Sequence, residues 1–366
     1  MCNYISKEFF NKIFGNKSLH LPVRHKKDYL THLHGLLNNY ISYINGAVKG
    51  ESENYTELAD RIEKICHRLK SVLKCYQQGL PARAYNKFSE LMPELNKTPI
   101  KIYQKSVSGH DIVGSELNLY RVVKTDGKAS SYPRERVFHT PYNLRSKVSS
   151  ARYSIAGYPC LYLGTSLRLC CDEIQCDIKR DNVIASRFVW ERDPEISHSD
   201  ISVLEMAIKP QDFFPKKAGS RPIGRYFDEV DLNDGALRYR YMLWYPIIAA
   251  SSYIRQNKND PFAAEYIVPQ LLMQWVREEA VCNENKVPRI IGIRYFSCAS
   301  EKASDMGFNY VFPVSGSQES KNIPYCKLLS RSFRLTRPHF GNKYKTYDKC
   351  ERALLADSEL KSITDL

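Results

Sequence analysis

Between Ala151 and Glu173 the chain reads ARYSIAGYPCLYLGTSLRLCCDE, and three backbone states follow one another in it. Gly157-Tyr158-Pro159 is a bend that joins a conformationally permissive residue to one with a fixed φ. Cys160-Leu161-Tyr162-Leu163-Gly164 is an apolar run of strand length. Thr165 or Ser166 can cap the helix that follows, which carries Leu167, Leu169, Cys170 and Glu173. A bend, a strand and a capped helix therefore bring arginine, tyrosine and carboxylate side chains into one short segment.

The first hundred residues have a different period. Leu30, Leu33, Leu37, Tyr40, Ile41 and Ile44 recur at helical spacing, with Gly46 as a stop. Leu58, Ile62, Ile65, Leu69, Val72 and Tyr76 form a second stripe ended by Gly79. Pro81 suits the first turn of a third helix, with Tyr85, Phe88 and Leu91, expected to stop before Pro93. Short breaks between such helices favour an antiparallel bundle.

Beyond Tyr120 the runs IASRFVW, ISVLEMAI and IIGIRYF are short, β-branched and aromatic, as strands are. Phe138 to Arg145 leads into the central segment as a loop, and Pro210 to Gly235, long and rich in Pro, Gly and charge, is a candidate active-site flap. Helices are expected over Leu237–Ala250 and from Pro269, both packing on the sheet, and a last one over Cys350–Leu360. The reading is an α+β chain in three parts: a helical domain over 1–105, a mixed β core with flanking helices over 115–320, and a basic extension over 321–366. The linker is expected within 93–115.

Of the formal charge of +14, residues 1–105 carry 17 Lys and Arg against 9 Asp and Glu, and residues 321–366 carry 10 against 5. The remainder is nearly neutral, so the basic excess lies outside the β core. A solvated basic face accounts for such an excess, and nucleic acid or an acidic protein is the partner it would attract. No run of about 18 apolar residues occurs, and lysines break up the N-terminal aromatics, so the expectation is a cytoplasmic protein with no membrane span. Eleven scattered cysteines then read as thiols rather than disulfides. Cys170, Cys171 and Cys176 lack a partner pair at zinc spacing, so no metal site is expected.

Arg152-Tyr153-Ser154, Gly157-x-Pro159, Leu161-Tyr162-Leu163 and then Glu173 on the next helix resemble the central motif of the RES family. Leu119-Tyr120-Arg121-Val122 is similar to that family's first strand, and Ile291 to Ser297 resembles its Gly-Ile-x-Tyr-x-Ser strand. The three pieces keep the family's order over residues 115 to 315. The resemblance implies an ADP-ribosyltransferase-like fold and an NAD-degrading toxin, with NAD+ as substrate and no further cofactor. It also implies a helix-turn-helix antitoxin as partner, and by analogy a role in antiviral defence.

Cleaving the nicotinamide–ribose bond passes through an oxocarbenium-like state. A carboxylate must hold the ribose hydroxyls and stabilise the positive charge, arginine forks suit the pyrophosphate, and an aromatic face fixes the nicotinamide. By resemblance, Glu173 would be the carboxylate, Arg121 and Arg152 the clamps, Tyr162 the aromatic wall or orienter, and Ser297 a neighbour of the ribose. Tyr120, Tyr153 and Gln270 are second-tier binding residues, and Tyr120 and Arg121 point to opposite faces of a strand. Asp172 points about 100° away from Glu173 on a helix and makes a poor twin. Arg145, Lys216, Lys217, Arg221 and Arg225 are loop cations able to gather phosphates.

Two further activities stay open. One is ADP-ribosyl transfer to a macromolecule. The other is RNA binding or cleavage by the N-terminal bundle, which resembles HEPN-type domains in Arg61 and His67: His would move a proton at a ribose hydroxyl and Arg would hold the phosphate. The bundle is equally a candidate for regulation, sensing or homodimer formation.

Overall fold

The structure is a computed structural model, and it describes residues 4–26, 28–97, 99–103, 118–190, 201–214, 231–257, 259–282, 289–315 and 324–363. Most of the expected linker, residues 215–230 of the candidate flap Pro210 to Gly235, and with them Lys216, Lys217, Arg221 and Arg225, lie outside these residues. The chain is α+β and divides into two units, residues 1–100 with 208–272, and residues 101–207 with 273–366.

The first unit is helical: α1 (Lys7–Phe14), α2 (Tyr29–Ala47), α3 (Glu53–Gln77) and α4 (Pro81–Asn96). Ser6 and Asp28 cap the first two through their side chains, satisfying N–H groups that a helix start leaves open. α4 does not stop at Pro93. The ring fits helical φ and costs one hydrogen bond, while buried Met92 and Leu95 hold the last turn in place.

A later helix, Gly235–Ala250, was expected on the sheet and instead belongs to this unit. Its residues from Tyr241 to Ala250 are buried without interruption, the pattern of a helix surrounded by others. Tyr40, Tyr245, Tyr241 and Tyr29 bury their rings in this unit and donate to the backbone carbonyls of Met242, Leu19, Ile208 and Ala250. Pro246 has no N–H, so the Met242 carbonyl four residues earlier lacks its helical donor. The Tyr40 hydroxyl supplies one at 2.8 Å.

The second unit is built on one nine-stranded mixed sheet. Its strands are β1 (Lys101–Tyr103), β2 (Asn118–Lys124), β3 (Cys160–Gly164), β4 (Val183–Trp190), β5 (Ile201–Met206), β6 (Arg289–Phe296), β7 (Phe308–Pro313), β8 (Phe333–Leu335) and β9 (His339–Phe340). They lie in the order β1-β5-β6-β7-β3-β2-β4-β8, with β9 also on β4, and among the described residues only the β5–β6 pair of these strands is parallel. The basic C-terminal segment is no extension of this unit. It supplies β8 and β9 to the sheet, and Cys350 and Leu354 of helix Tyr347–Ala356 pack with Tyr120, Val122, Leu167 and Cys171.

Candidate functional site

The centre of the sheet determines which side chains can meet. Directly paired residues share a face, and Tyr295 pairs with Asn309, which pairs with Gly164. These three form a row across β6, β7 and β3. Tyr162, two residues from Gly164, lies on the same face.

The short helix Leu167–Glu173 is capped by Ser166, whose Oγ accepts from Leu169 N. It rests on this row because residue 164 has no side chain. A Cβ there would lie 2.7 Å from Cys170 Sγ and 3.4 Å from Asn309 Oδ1. The close approach brings Glu173, at the end of the helix, over β7, and Asn309 Nδ2 donates to Glu173 Oε1 at 2.6 Å.

Arg152 and Tyr153 form the tip of a two-residue turn closed by hydrogen bonds in both directions between Ala151 and Ser154. Ser154 is buried, and its Oγ meets the Tyr162 hydroxyl at 2.7 Å. The Tyr153 ring lies 4.7 Å from the Tyr295 ring, and the Cys160 thiol donates to the Tyr153 carbonyl.

These groups converge electrostatically on Tyr295. Burial holds its hydroxyl well above the ordinary phenol range, the charge of Glu173 and the nearby Tyr162 and Tyr153 hydroxyls push the same way, and Arg152 opposes them. Arg121 enters through Cys170, whose thiol is raised by burial and by Glu173 and lowered in part by Arg121. Burial pushes the half-buried Arg121 guanidinium down to about 10, with Cys170 and Tyr162 opposing. Its Nη1 is buried with no hydrogen-bond partner among the described residues, a costly state for a guanidinium N–H.

His139 backs this arginine. Cys326 N–H donates to its Nε2 at 3.0 Å, so the proton sits on Nδ1, which donates to the Thr140 carbonyl at 2.8 Å. Burial pushes His139 down to about 4, with Arg121 adding to the effect and Thr140 opposing it. The ring beside Arg121 is therefore neutral near pH 7.

Ser297 is buried, and its Oγ accepts from Ala299 N, a turn-forming bond after β6. Tyr120 pairs with Gly164 and so belongs to the same face, packed with Leu167 and Cys171, which turns the adjacent Arg121 to the opposite face. Gln270 belongs to the helical unit. Arg145 donates to Gly157 O at 2.8 Å and stacks over Tyr158. In α3, Arg61 pairs with Glu94 and also meets Tyr239, while exposed His67 meets Glu63 one turn earlier. Six residues apart on one helix, they lie about 120° apart around its axis.

Sequence reasoning passed over Tyr295, Asn309 and His139. Tyr295 stood within the quoted IIGIRYFS strand, two residues from the serine chosen instead. Asn309 had a usable signal: a lone amide inside FNYVFP, a strand buried on both faces. Among the described residues, no group of three or more His, Cys, Asp or Glu side chains could hold a metal ion, and no helix is long and apolar enough to cross a membrane.

Fold and site define an α+β protein in which the Glu173 carboxylate, held by Asn309, shares one face of a mixed sheet with Tyr162 and Tyr295. No family model and no solved structure matches the chain. It is similar to a Bacillus subtilis protein named "Putative toxin YopC", at 24% identity over 300 residues, which cover 80% of this chain and 62% of that protein. The chain thus spans about three-fifths of the length of the curated relative it matches.

Proposed function

We propose that this chain is a toxin that consumes NAD+ by cleaving its nicotinamide–ribose bond, as its RES-like motifs imply. The observation that carries the reading is the Glu173 carboxylate, held by Asn309, on the same sheet face as Tyr162 and Tyr295, with the Tyr153 ring beside the Arg152 turn packed on Tyr295. Similarity to a protein named as a toxin supports the coarser part.

In this reading Glu173, oriented by Asn309, accepts from the hydroxyls of the nicotinamide ribose. It stabilises the positive charge that grows as the glycosidic bond lengthens. Arg152 supplies a guanidinium for the pyrophosphate. Tyr295 and Tyr153 stay neutral hydroxyls and present ring faces to the nicotinamide.

The test is to incubate purified protein with NAD+ labelled in the adenosine and identify what accompanies free nicotinamide. ADP-ribose means water is the acceptor, and a phosphorylated ADP-ribose means phosphate. Label carried on protein or nucleic acid means transfer to a macromolecule. NAD+ left intact in all conditions counts against the proposal, as does an unchanged NAD+ level in cells expressing the chain.

A further inference from the structure

The helix that carries Glu173 ends in a chain reversal of a particular kind. Cys176 N–H donates to Cys171 O at 3.0 Å and Gln175 N–H donates to Asp172 O at 3.3 Å. Gln175 is left-handed at φ 51°. This is a Schellman cap, and such caps press the side chains of their first and sixth residues together, usually as an apolar contact. Here those residues are both cysteines. Cys171 is buried with Tyr120, Leu167 and Ile178, and Cys176 packs on the same cluster from a half-buried position.

The neighbouring Cys171 thiol, with Lys124 nearby, holds Cys176 below the ordinary thiol range against burial, Asp181 and Asp177. Cys176 and burial in turn push Cys171 up. Lys124 is placed by its own bond, Nζ donating to Gln175 O at 2.9 Å. The neighbouring Cys170 is committed elsewhere, since its Sγ donates to Tyr120 O at 3.2 Å.

We propose that Cys171 and Cys176 form a redox modification site, closing to an intramolecular disulfide when the protein meets a peroxide. The Cys176 thiolate attacks one peroxide oxygen, the O–O bond breaks, and a sulfenic acid and one water result. The Cys171 sulfur then attacks the sulfenic sulfur and loses its proton. The S–O bond breaks and a second water leaves. Two thiols are oxidised by two electrons and one peroxide is reduced to two waters. A disulfide needs Cα atoms no more than about 7 Å apart, and a reversal closed by a sixth-to-first hydrogen bond keeps its ends that close.

Glu173 is the last helical residue inside this cap. We expect a bridge closed at this cap to alter the Glu173–Asn309 bond and with it the activity. That consequence rests on the proposed function, whereas the bridge itself does not.

The experiment treats the full-length native protein with hydrogen peroxide, alkylates it in denaturant, and maps the tryptic peptide Leu169–Lys179, which holds Cys170, Cys171 and Cys176. The expected peptide loses two of its three alkylations, carries the remaining one on Cys170, and regains all three after dithiothreitol. Cys170→Ser should keep the bridge and Cys176→Ser should abolish it. Three alkylations after peroxide, or a link through Cys170, would overturn the proposal whether or not the protein cleaves NAD+.

Discussion

Asn309 holds the Glu173 carboxylate through a 2.6 Å bond from its amide, joining strand β7 to the end of a seven-residue helix. A hydrogen bond to a charged group contributes about 1.5–3 kcal/mol, or roughly 10- to 150-fold in rate if it acts on the transition state. Asn309→Ala should lower kcat for nicotinamide release by about that factor with little change in KM. Asn309→Asp should do worse, because it sets a second carboxylate against the first. Equal kcat in wild type and both variants would remove Asn309 as a positioning residue.

Gly164 should tolerate no side chain while Cys170 is present. The nearest atom to an added Cβ is Cys170 Sγ at 2.7 Å, so Gly164→Ala should cost about 1–3 kcal/mol as overpacking. Removing the sulfur in Gly164→Ala/Cys170→Ala should recover most of that loss in urea unfolding. A double variant no more stable than the single one would show that the helix is not seated by this contact.

His139 gives the fold a pH dependence with a definite sign. Its folded pKa lies near 4 because of burial, below the ordinary 6.5, so protonation favours the unfolded chain. Its contribution is intact above about pH 6.5 and is lost as pH falls toward 4, by about 3 kcal/mol in the limit. His139→Gln should flatten the stability profile across that window relative to wild type. An unchanged slope would contradict this assignment.

On the face opposite Tyr295, Arg294 and Glu205 form a buried ion pair, with Arg294 Nε donating to Glu205 Oε2 at 2.7 Å and Nη1 reaching the Tyr310 hydroxyl at 3.3 Å. Removing one partner leaves a buried charge alone, so Glu205→Ala should cost about 3–5 kcal/mol. Replacing both with apolar residues, as in Glu205→Leu/Arg294→Met, should cost much less. The comparison is made by thermal unfolding, and a double variant as damaged as the single one would contradict it.

The local elements were legible because their periods are strong. The stripe from Leu30 to Ile44 became a helix, and IASRFVW became a strand. The contiguous part of the site was legible as well, since Arg152, Tyr153, Tyr162 and Glu173 all fall within one bend-strand-helix segment. Partners chosen by tertiary packing were not. From Tyr241 to Ala250 the later helix is apolar on every side, so its sequence gives its burial but not its neighbours, and it joined the helical unit. Asn309 and Tyr295 sit on strands with apolar residues on both faces, which hides the alternation that would have assigned them a side.

The most direct measurement is the rate of nicotinamide release from NAD+ by purified wild type and by Glu173→Gln, with circular dichroism showing that both are folded. The account predicts release by wild type and a loss of at least about a hundredfold in the variant, the scale expected when a group that stabilises transition-state charge is removed. No release by folded wild type, or equal release by the two proteins, would contradict it.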